Sequence, residues 1–489
     1  MSTALSPTGV EGLDNILGGG FPSNCVYLVE GNPGVGKTTL AMQFLLEGVR
    51  RGEATLYVTL SETRTELALV AASHGWNLDG ITIIELSAVD GILGARSGAP
   101  LYNPSEVELT QLSKLFRSEI EKSHPKRLVL DSLSEMRLLS QSALRYRREL
   151  LNLKQFLTTQ DCTALLLDDR TADADGHVHS IVHGALTLDV APLRYGIFRR
   201  SLAVTKLRGV KFREGQHDYV INTGGLQVFP RLVASEHRKK YKRSLASSSN
   251  DALDEMLGGG LHFGTSNLLM GPAGSGKSTV AALFASAAAA RSEQVEYFIF
   301  DETLDTLLER THALGIDLAP HMASGMVRIH QIDPAEIAPG ELAYQVHAAV
   351  RAGVKMVVLD SLNGYVSAMP NEDYLTLHLH ELLAYLNQQG VMTIMVLAQH
   401  GLLGPMGTPV DISYLADTVI LTRFFEAAGT LKKAISIIKK RSGPHEDSLR
   451  EFSMRGGHIT VGPPLMHFQG VMTGVPRAIG GVPVRGSAS

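Results

Sequence analysis

Short runs of apolar residues alternate with helix-forming stretches along most of the chain. Residues 25–30 form a β-prone run followed by a helical stretch at 39–44, and the same order recurs at 267–270 and 279–284. Strands that are apolar along their whole length and are separated by helices are typical of parallel sheets covered on both faces. The pattern therefore predicts an α/β fold with a mainly parallel sheet flanked by helices.

The predicted elements occur twice because the chain contains an internal repeat. The sequence LDNILGGG at 13–20 recurs as LDEMLGGG at 253–260, which is 240 positions later. Glu62 recurs as Glu302 at the same offset. The repeat predicts two domains of the same fold.

The offset falls to 229 between Asp131 and Asp360, so the first half holds 11 additional residues. The glycine and prolines of 97–104 predict a loop there, and apolar residues at helical spacing follow over 107–120. A basic and then serine-rich stretch between the halves predicts a linker. The predicted divisions are an N-terminal domain 1–234, a linker 235–249, a C-terminal domain 250–470 and a flexible tail 471–489.

Each half contains a glycine-rich loop between a predicted strand and a predicted helix, at 31–38 (GNPGVGKT) and 271–278 (GPAGSGKS). Glycine lets backbone N–H groups turn toward a phosphate chain, and the helix directs its positive end at the same anion. The lysine then reaches the terminal phosphates, and the next hydroxyl ligates Mg²⁺. Two matches at equivalent places disfavour an ordinary glycine turn. The predicted ATP-binding residues are Gly31, Gly34, Gly36, Lys37, Thr38, Thr39, Gly271, Gly274, Gly276, Lys277, Ser278 and Thr279.

Each half also places carboxylates at the ends of predicted strands. An aspartate there can hold Mg²⁺, although it can also cap the next helix. The predicted Mg²⁺ ligands are Thr38, Asp131, Ser278 and Asp360. Glu62 and Glu302 end the strand after the first helix, where a carboxylate can orient or deprotonate an attacking water. The alternative for these glutamates is a part in helix capping beside Thr63 or Thr303.

A basic pair ends each half, as Lys206 and Arg208 and as Lys439 and Arg441. Strand alternation puts the members of each pair on one face. They can stabilise the charge of a γ-phosphate held by a neighbouring subunit, as arginine fingers do. The alternative is a solvated strand face.

Composition narrows the classes of function. A net charge of −4 and a pI near 6.5 disfavour nonspecific binding to nucleic acid over the whole surface, although a local basic stripe stays open. Cys25 and Cys162 are expected to be core residues in a reducing compartment. No apolar run reaches 18 residues and the N-terminus lacks a signal-peptide pattern, so we expect a soluble, cytoplasmic protein.

Taken together, these motifs resemble those of the KaiC family of circadian-clock ATPases and kinases. The resemblance extends over both repeats and includes the LDxxLGGG openings, the glycine loops, the SET and DET segments at 61–63 and 301–303, and the DSL strand ends. It implies two tandem RecA-like P-loop NTPase domains, a homo-hexameric double ring, and ATP bound between subunits. The residues that it implies to contact ATP across the interface are Lys206, Arg208, Lys439, Arg441 and His445.

The resemblance also implies a division of activity, with ATP hydrolysis mainly in the first half and serine/threonine autokinase and phosphatase activity in the second. The family's paired catalytic glutamates read Ser61-Glu62 and Asp301-Glu302 here, which leaves one carboxylate in the first site and two in the second. On that basis the first site is expected to be the slower one. Glu62, Asp301 and Glu302 are the predicted catalytic residues.

Two further departures concern phosphorylation and activation. The family's adjacent serine and threonine phosphoacceptors fall on Ser413 and Tyr414, so only the serine is retained as a possible phosphosite. A serine at that place can also be a simple turn former. The glycine-rich segment at 478–489 is short, which disfavours activation through a long C-terminal tail.

The sequence as a whole predicts a KaiC-like hexameric ATPase that acts as a signalling or timing switch, with ATP and Mg²⁺ as cofactors and possible autokinase activity. A signalling protein is its expected partner, and membranes and nucleic acid are not. The alternatives are a DNA-dependent ATPase related to recombinases and helicases, and a scaffold in which ATP only joins subunits.

Overall fold

The computed structural model describes residues 4–86, 104–140, 142–170, 177–192, 196–367, 372–399, 412–427, 429–471 and 477–478. The chain divides into two compact units, 1–231 and 232–489. The predicted loop at 97–104 lies outside the described residues except for its last residue, which begins a helix.

The first unit is an α/β domain in which strands and helices alternate. Its strands are β1 (Leu5–Ser6), β2 (Phe21–Pro22), β3 (Val26–Gly31), β4 (Thr55–Thr59), β5 (Ile81–Glu85), β6 (Arg127–Asp131), β7 (Thr163–Asp169), β8 (Gly184–Ala191), β9 (Arg199–Leu207), β10 (Gln216–Asn222) and β11 (Gly225–Phe229). Its helices are α1 (Glu11–Leu17), α2 (Lys37–Arg50), α3 (Arg64–Ser73), α4 (Pro104–Ser123), α5 (Leu133–Leu139), α6 (Ala143–Thr159) and α7 (His177–Ile181). Helix α4 contains the stretch predicted at 107–120.

The second unit repeats this order. Its strands are β12 (Leu245–Ala246), β13 (Leu261–His262), β14 (Ser266–Pro272), β15 (Val295–Ile299), β16 (Val327–Gln331), β17 (Met356–Asp360), β18 (Met392–Gln399), β19 (Thr418–Ala427), β20 (Thr430–Lys440), β21 (Arg450–Arg455), β22 (His458–Pro464), β23 (Phe468–Gln469) and β24 (Arg477–Ala478). Its helices are α8 (Asp251–Met256), α9 (Lys277–Ala290), α10 (Leu304–His312), α11 (Ala319–Ala323), α12 (Pro339–Arg351), α13 (Leu362–Ser367) and α14 (Glu372–Gln389), together with one 3₁₀ turn (Ala234–His237).

Within the described residues, each unit has one nine-stranded sheet. The orders are β11-β10-β9-β8-β3-β7-β6-β4-β5 and β16-β15-β17-β18-β14-β19-β20-β21-β22. In the first sheet, β3 to β8 pair in parallel, and β9, β10 and β11 extend the sheet from β8 with antiparallel pairing. In the second sheet, β14 to β19 pair in parallel, and β20, β21 and β22 extend the sheet from β19 with antiparallel pairing. The prediction of two tandem RecA-like α/β domains is confirmed.

The parallel strands are apolar throughout because helices cover both faces. In the first unit, one core cluster packs α1 and α2 on one face of the sheet, and a second cluster packs α4 and α6 on the other. Strands β4 and β6 are buried at every position, as the continuous apolar runs predict. Cys162 is buried, whereas Cys25 is only partly buried.

The sheet order brings the functional segments of the first unit to one edge. Strand β3 ends in the glycine loop, and its Gly31 pairs with Asp169 of β7. Strand β4 lies next to β6, so Thr59 pairs with Asp131. The carboxyl ends of parallel strands meet at the same edge of a sheet, and ligands bind there.

The second unit has the same arrangement. Gly271 pairs with Ala398, and Ile299 pairs with Asp360. Ala398 therefore stands where the first unit has Asp169. The first sheet therefore has a carboxylate beside its glycine loop at a position where the second sheet has an alanine.

The segment predicted as a linker makes contacts in the second unit. The 3₁₀ turn at Ala234–His237 packs against α14, where the carboxylate of Glu381 accepts from the Ala234 amide at 3.2 Å. Leu245–Ala246 forms an antiparallel pair with β13. Of the tail predicted at 471–489, Arg477–Ala478 pairs with β23, and the other described residue is Val471.

Candidate active sites

The first site is built around the glycine loop 31–38, and the second around 271–278. In each unit the last glycine of the loop, Gly36 or Gly276, precedes the helix with φ of +99° or +105°. A side chain there would be strained, and a Cβ on Gly276 would lie 2.6 Å from Phe452. The glycine therefore lets the chain turn directly into the helix, so that the helix N-terminus faces the loop.

The loop lysines are buried but have different partners. Lys37 Nζ donates to the carbonyl of Gly31 at 2.7 Å and forms an ion pair with Asp169 Oδ1 at 2.8 Å. Lys277 Nζ donates to the carbonyl of Pro272 at 2.8 Å, and among the described residues it has no ion pair. Burial lowers the pKa of Lys277 to about 8. The first lysine is thus held by a carboxylate, and the second is not.

A hydroxyl and a buried carboxylate lie side by side in each site. In the first site, Thr38 Oγ1 donates to Asp131 Oδ2 at 3.3 Å, and the Tyr57 hydroxyl donates to the same oxygen at 2.6 Å. Burial raises the pKa of the Asp131 carboxyl. A buried carboxylate beside a loop hydroxyl is the oxygen pair that P-loop proteins use for Mg²⁺, so these residues fit that ion.

The second site repeats this pair more tightly. Ser278 Oγ donates to Asp360 Oδ1 at 2.9 Å, and the Tyr297 hydroxyl donates to Asp360 Oδ2 at 2.8 Å. Burial raises the pKa of Asp360 to about 6. This pair also fits Mg²⁺.

Glu62 lies just beyond β4 with one carboxylate oxygen that is unsatisfied. Its Oε2 is buried and has no hydrogen-bond partner within the described part of the chain. Burial raises its pKa to about 7, and the charges of Asp131 and Glu66 add to the effect. Glu62 does not cap the following helix, because the Thr63 side chain and the Glu66 carboxylate form the capping box. An unpaired carboxylate at this edge of the sheet is available to bind a water.

Glu302 has the same place in the second site but is already bound. Arg310 of α10 donates to Glu302 Oε1 at 2.6 Å and to Thr279 Oγ1 at 2.9 Å. The neighbouring Asp301 accepts a hydrogen bond from Ser361. Thr303 caps α10 by accepting from the amide of Thr306, so Glu302 is free of that task.

Asp169 and Arg310 are site residues that the sequence analysis did not single out. Asp169 does carry a signal, because it ends the apolar strand β7 as Asp131 ends β6. Arg310 carries none, since it is one of several charged residues on a helix and its counterpart in the repeat is Val70.

The basic residues near the end of the first unit contact α7 and the residues that follow it. Lys206 Nζ donates to the carbonyl of Val182, between α7 and β8, at 2.8 Å, and Arg208 donates to the carbonyl of Ser180, in α7, at 3.2 Å. The contacts described for these two side chains lie there and not at the glycine loop of the same unit.

The second unit repeats these contacts around the predicted phosphosite. Lys439 donates to the carbonyls of Ser413 and Ala416 at 3.1 and 2.8 Å, and Arg441 donates to the carbonyl of Tyr414 at 3.1 Å. Ser413 is half-buried, and the Tyr414 side chain is exposed. His445 Nε2 lies 3.4 Å from a carboxylate oxygen of Asp447.

In the parts of the chain that the structure describes, no helix is both long and apolar enough to cross a bilayer.

Comparison with known proteins identifies the family. The family model described as "ATPase: KaiC" matches residues 6–233 and 249–466. The "Circadian clock protein KaiC2" of Synechocystis sp. is 26% identical over 486 residues, which cover 98% of this chain and 84% of the relative. The "Circadian clock oscillator protein KaiC" of Thermosynechococcus vestitus is 27% identical over 486 residues, covering 97% and 92%. The chain therefore belongs to the KaiC family of ATPases and contains two ATPase domains of that family.

Proposed function

We propose that this KaiC-family ATPase hydrolyses Mg²⁺-ATP at both glycine loops and acts as a slow nucleotide-driven switch in the cytoplasm. The observation that carries the proposal is the buried Oε2 of Glu62, which has no hydrogen-bond partner among the described residues and is close enough to Asp131 and Lys37 for their charges to act on it. Such a carboxylate is placed to receive a proton, because its raised pKa lies near neutral pH.

Each residue of the first site has a separate role in phosphoryl transfer. Lys37 leaves Asp169 and binds the terminal phosphates, while the backbone of the glycine loop holds the rest of the chain. Thr38 and Asp131 hold Mg²⁺, which supplies charge neutralisation at the phosphates. Glu62 orients the attacking water and accepts its proton.

The second site has the corresponding residues, with Lys277 at the phosphates and Ser278 and Asp360 as the Mg²⁺ ligands. Glu302 is its base, and Asp301 supports it as a second carboxylate. The hydrogen bond from Ser278 to Asp360 favours this assignment, because it places both oxygen ligands together before the ion binds.

We further propose a homo-hexamer with ATP at the subunit interfaces. Lys206 supports this, because its described partners are neutral carbonyl oxygens that leave its positive charge uncompensated. In the second unit, Lys439, Arg441 and His445 would contact the ATP of the adjacent subunit. Native mass spectrometry with Mg²⁺-ATP should give six chains, and a strictly monomeric particle would contradict the proposal.

Autophosphorylation of Ser413 is part of the proposed function. Lys439 and Arg441 bind the turn that carries Ser413, so a phosphate contacted by those cations across an interface would lie near its hydroxyl. A phosphorylated turn could then recruit a signalling protein as partner.

Calorimetry and phosphate release test the proposal together. Nucleotide-stripped protein should bind two ATP per chain, and one ATP per chain would contradict it. Glu62→Gln with Glu302→Gln should abolish phosphate release while nucleotide binding and assembly persist. Unchanged release would remove both glutamates from catalysis.

A further inference from the structure

Over the described parts of both units, the second site contains a cation, Arg310, that has no counterpart in the first site. Arg310 bridges Glu302, beyond the end of β15, and Thr279, in the first turn of α9. Both distances are below 3 Å, and about a quarter of each charged side chain is exposed, 30% for Arg310 and 23% for Glu302. Water screens such a pair less than it screens a surface pair, so the contact restrains the carboxylate.

The repeat provides an internal comparison. The offset of 240 places Val70 opposite Arg310, with Thr39 and Glu62 opposite Thr279 and Glu302. Val70 packs against the core of the first unit. Both acceptors of the bridge are thus present in the first site, and only the arginine is replaced.

The two glutamates therefore differ in what their oxygens can do. Glu62 Oε2 is buried without a partner among the residues that the structure describes, whereas Glu302 Oε1 already accepts a charge-assisted hydrogen bond. Such a bond occupies one carboxylate oxygen of Glu302 and fixes the direction of the group toward α9.

We propose that Arg310 is a positioning residue that holds Glu302 away from the attacking water and makes the second site the slower hydrolase. The inference rests on the proposed role of Glu62 and Glu302 as bases. The number of carboxylates in each site predicted that the first site is the slower one. The inference predicts the opposite order, because Glu302 of the second site is bound to Arg310. ATP then persists longer in the second site, where it would serve as the phosphoryl donor for the proposed acceptor Ser413 of the adjacent subunit.

The test measures each site separately in the full chain. Lys37→Ala silences the first site and Lys277→Ala silences the second, and native mass spectrometry checks that assembly is equal between the variants compared. In the Lys37→Ala background, Arg310→Val should raise kcat for phosphate release about tenfold, the size expected for one charge-assisted hydrogen bond. The KM for ATP should change much less than kcat, since Arg310 acts mainly through Glu302 and, among the described residues, otherwise donates only to the Thr279 hydroxyl.

The reciprocal variant is the matched control for a merely structural role. In the Lys277→Ala background, Val70→Arg should lower first-site kcat by a similar factor, because it rebuilds the bridge to Thr39 and Glu62. Arg310→Lys should give a second-site rate between wild type and Arg310→Val, because an ammonium group keeps the charge but lacks the planar fork that spans two acceptors.

A second-site kcat that falls or stays constant in Arg310→Val would overturn the proposal, as would a first-site kcat that Val70→Arg leaves unchanged. Glu302→Gln in the Lys37→Ala background separates this outcome from failure of the proposed function. If Glu302→Gln abolishes release while Arg310→Val has no effect, only the restraint is wrong. If Glu302→Gln has no effect, the assignment of the base is wrong.

Discussion

Glu62→Gln should remove first-site catalysis and at the same time stabilise the nucleotide-free first unit. Both effects have the same cause, which is that the folded protein holds an ionised carboxylate where burial and the charges of Asp131 and Glu66 oppose it. Lys37 is the cation that offsets part of this penalty. The amide of glutamine has nearly the same shape and cannot ionise.

The size of the stability effect follows from the pKa shift. The pKa of Glu62 rises from 4.5 to about 7, and each unit corresponds to about 1.4 kcal/mol, which gives an upper bound of roughly 3 kcal/mol. Glu62 is only partly buried, and screening by water reduces the expected gain to about 1.5 kcal/mol. For a unit of this size, that gain raises Tm by about 3–6 °C.

The stability gained by Glu62→Gln depends on pH. Between pH 4.5 and about 7 the folded first unit keeps a proton on Glu62 that the unfolded chain releases, so the stability of the wild type falls as the pH rises through this window. Glu62→Gln lacks this dependence. Its advantage should therefore be complete at pH 8 and absent near pH 4.5. For the same reason, first-site kcat/KM of the wild type should fall as the pH drops below about 7.

Trp76 provides an assay that reports on the first unit alone. It is the only tryptophan of the chain and packs against the core of that unit. Thermal melts of nucleotide-free protein, followed by tryptophan fluorescence at pH 8 and near pH 4.5, measure the shift. Phosphate release in the Lys277→Ala background measures the loss of catalysis, expected to be at least about 100-fold for a general base.

A Glu62→Gln variant that is less stable than wild type at pH 8, or equally stabilised at both pH values, would refute this reasoning. The control is Glu66→Gln, which removes the same charge nearby. Hydrogen bonds from Thr63 lower the pKa of Glu66, so its replacement should destabilise the unit at pH 8 rather than stabilise it.

Four further outcomes test the sites. Asp169→Asn frees Lys37 from its ion pair and should tighten first-site ATP binding by roughly fivefold in calorimetry, the size of a partly exposed salt bridge; unchanged affinity would mean that the pair does not compete with ATP. Chelation of Mg²⁺ should stop phosphate release at both sites, and release that continues would contradict the assignment of Asp131 and Asp360. Ser413→Ala should abolish labelling by γ-labelled ATP, which phosphosite mapping checks against transfer to Tyr414. Single-stranded DNA should leave the ATPase rate unchanged, and a clear increase would favour the DNA-dependent alternative.

The sequence by itself determined the features that depend on local backbone geometry. The glycine loops, the helices that follow them and the strand ends at Asp131 and Asp360 all lie in segments whose spacing and composition can be read without partners. The internal repeat added the architecture, because two copies of one pattern predict two copies of one fold. Lys37 and Lys277 follow from the same motif.

Only the tertiary structure decided which charges meet. Asp169 is far from Lys37 along the chain, and the order of strands in the sheet brings it to 2.8 Å. The direction of the Arg310 side chain depends on where α10 lies relative to Thr279 in the first turn of α9, which no periodicity encodes. The raised pKa of Glu62 likewise depends on burial among residues of other segments. Electrostatic interactions depend on distance in space, and the fold fixes that distance.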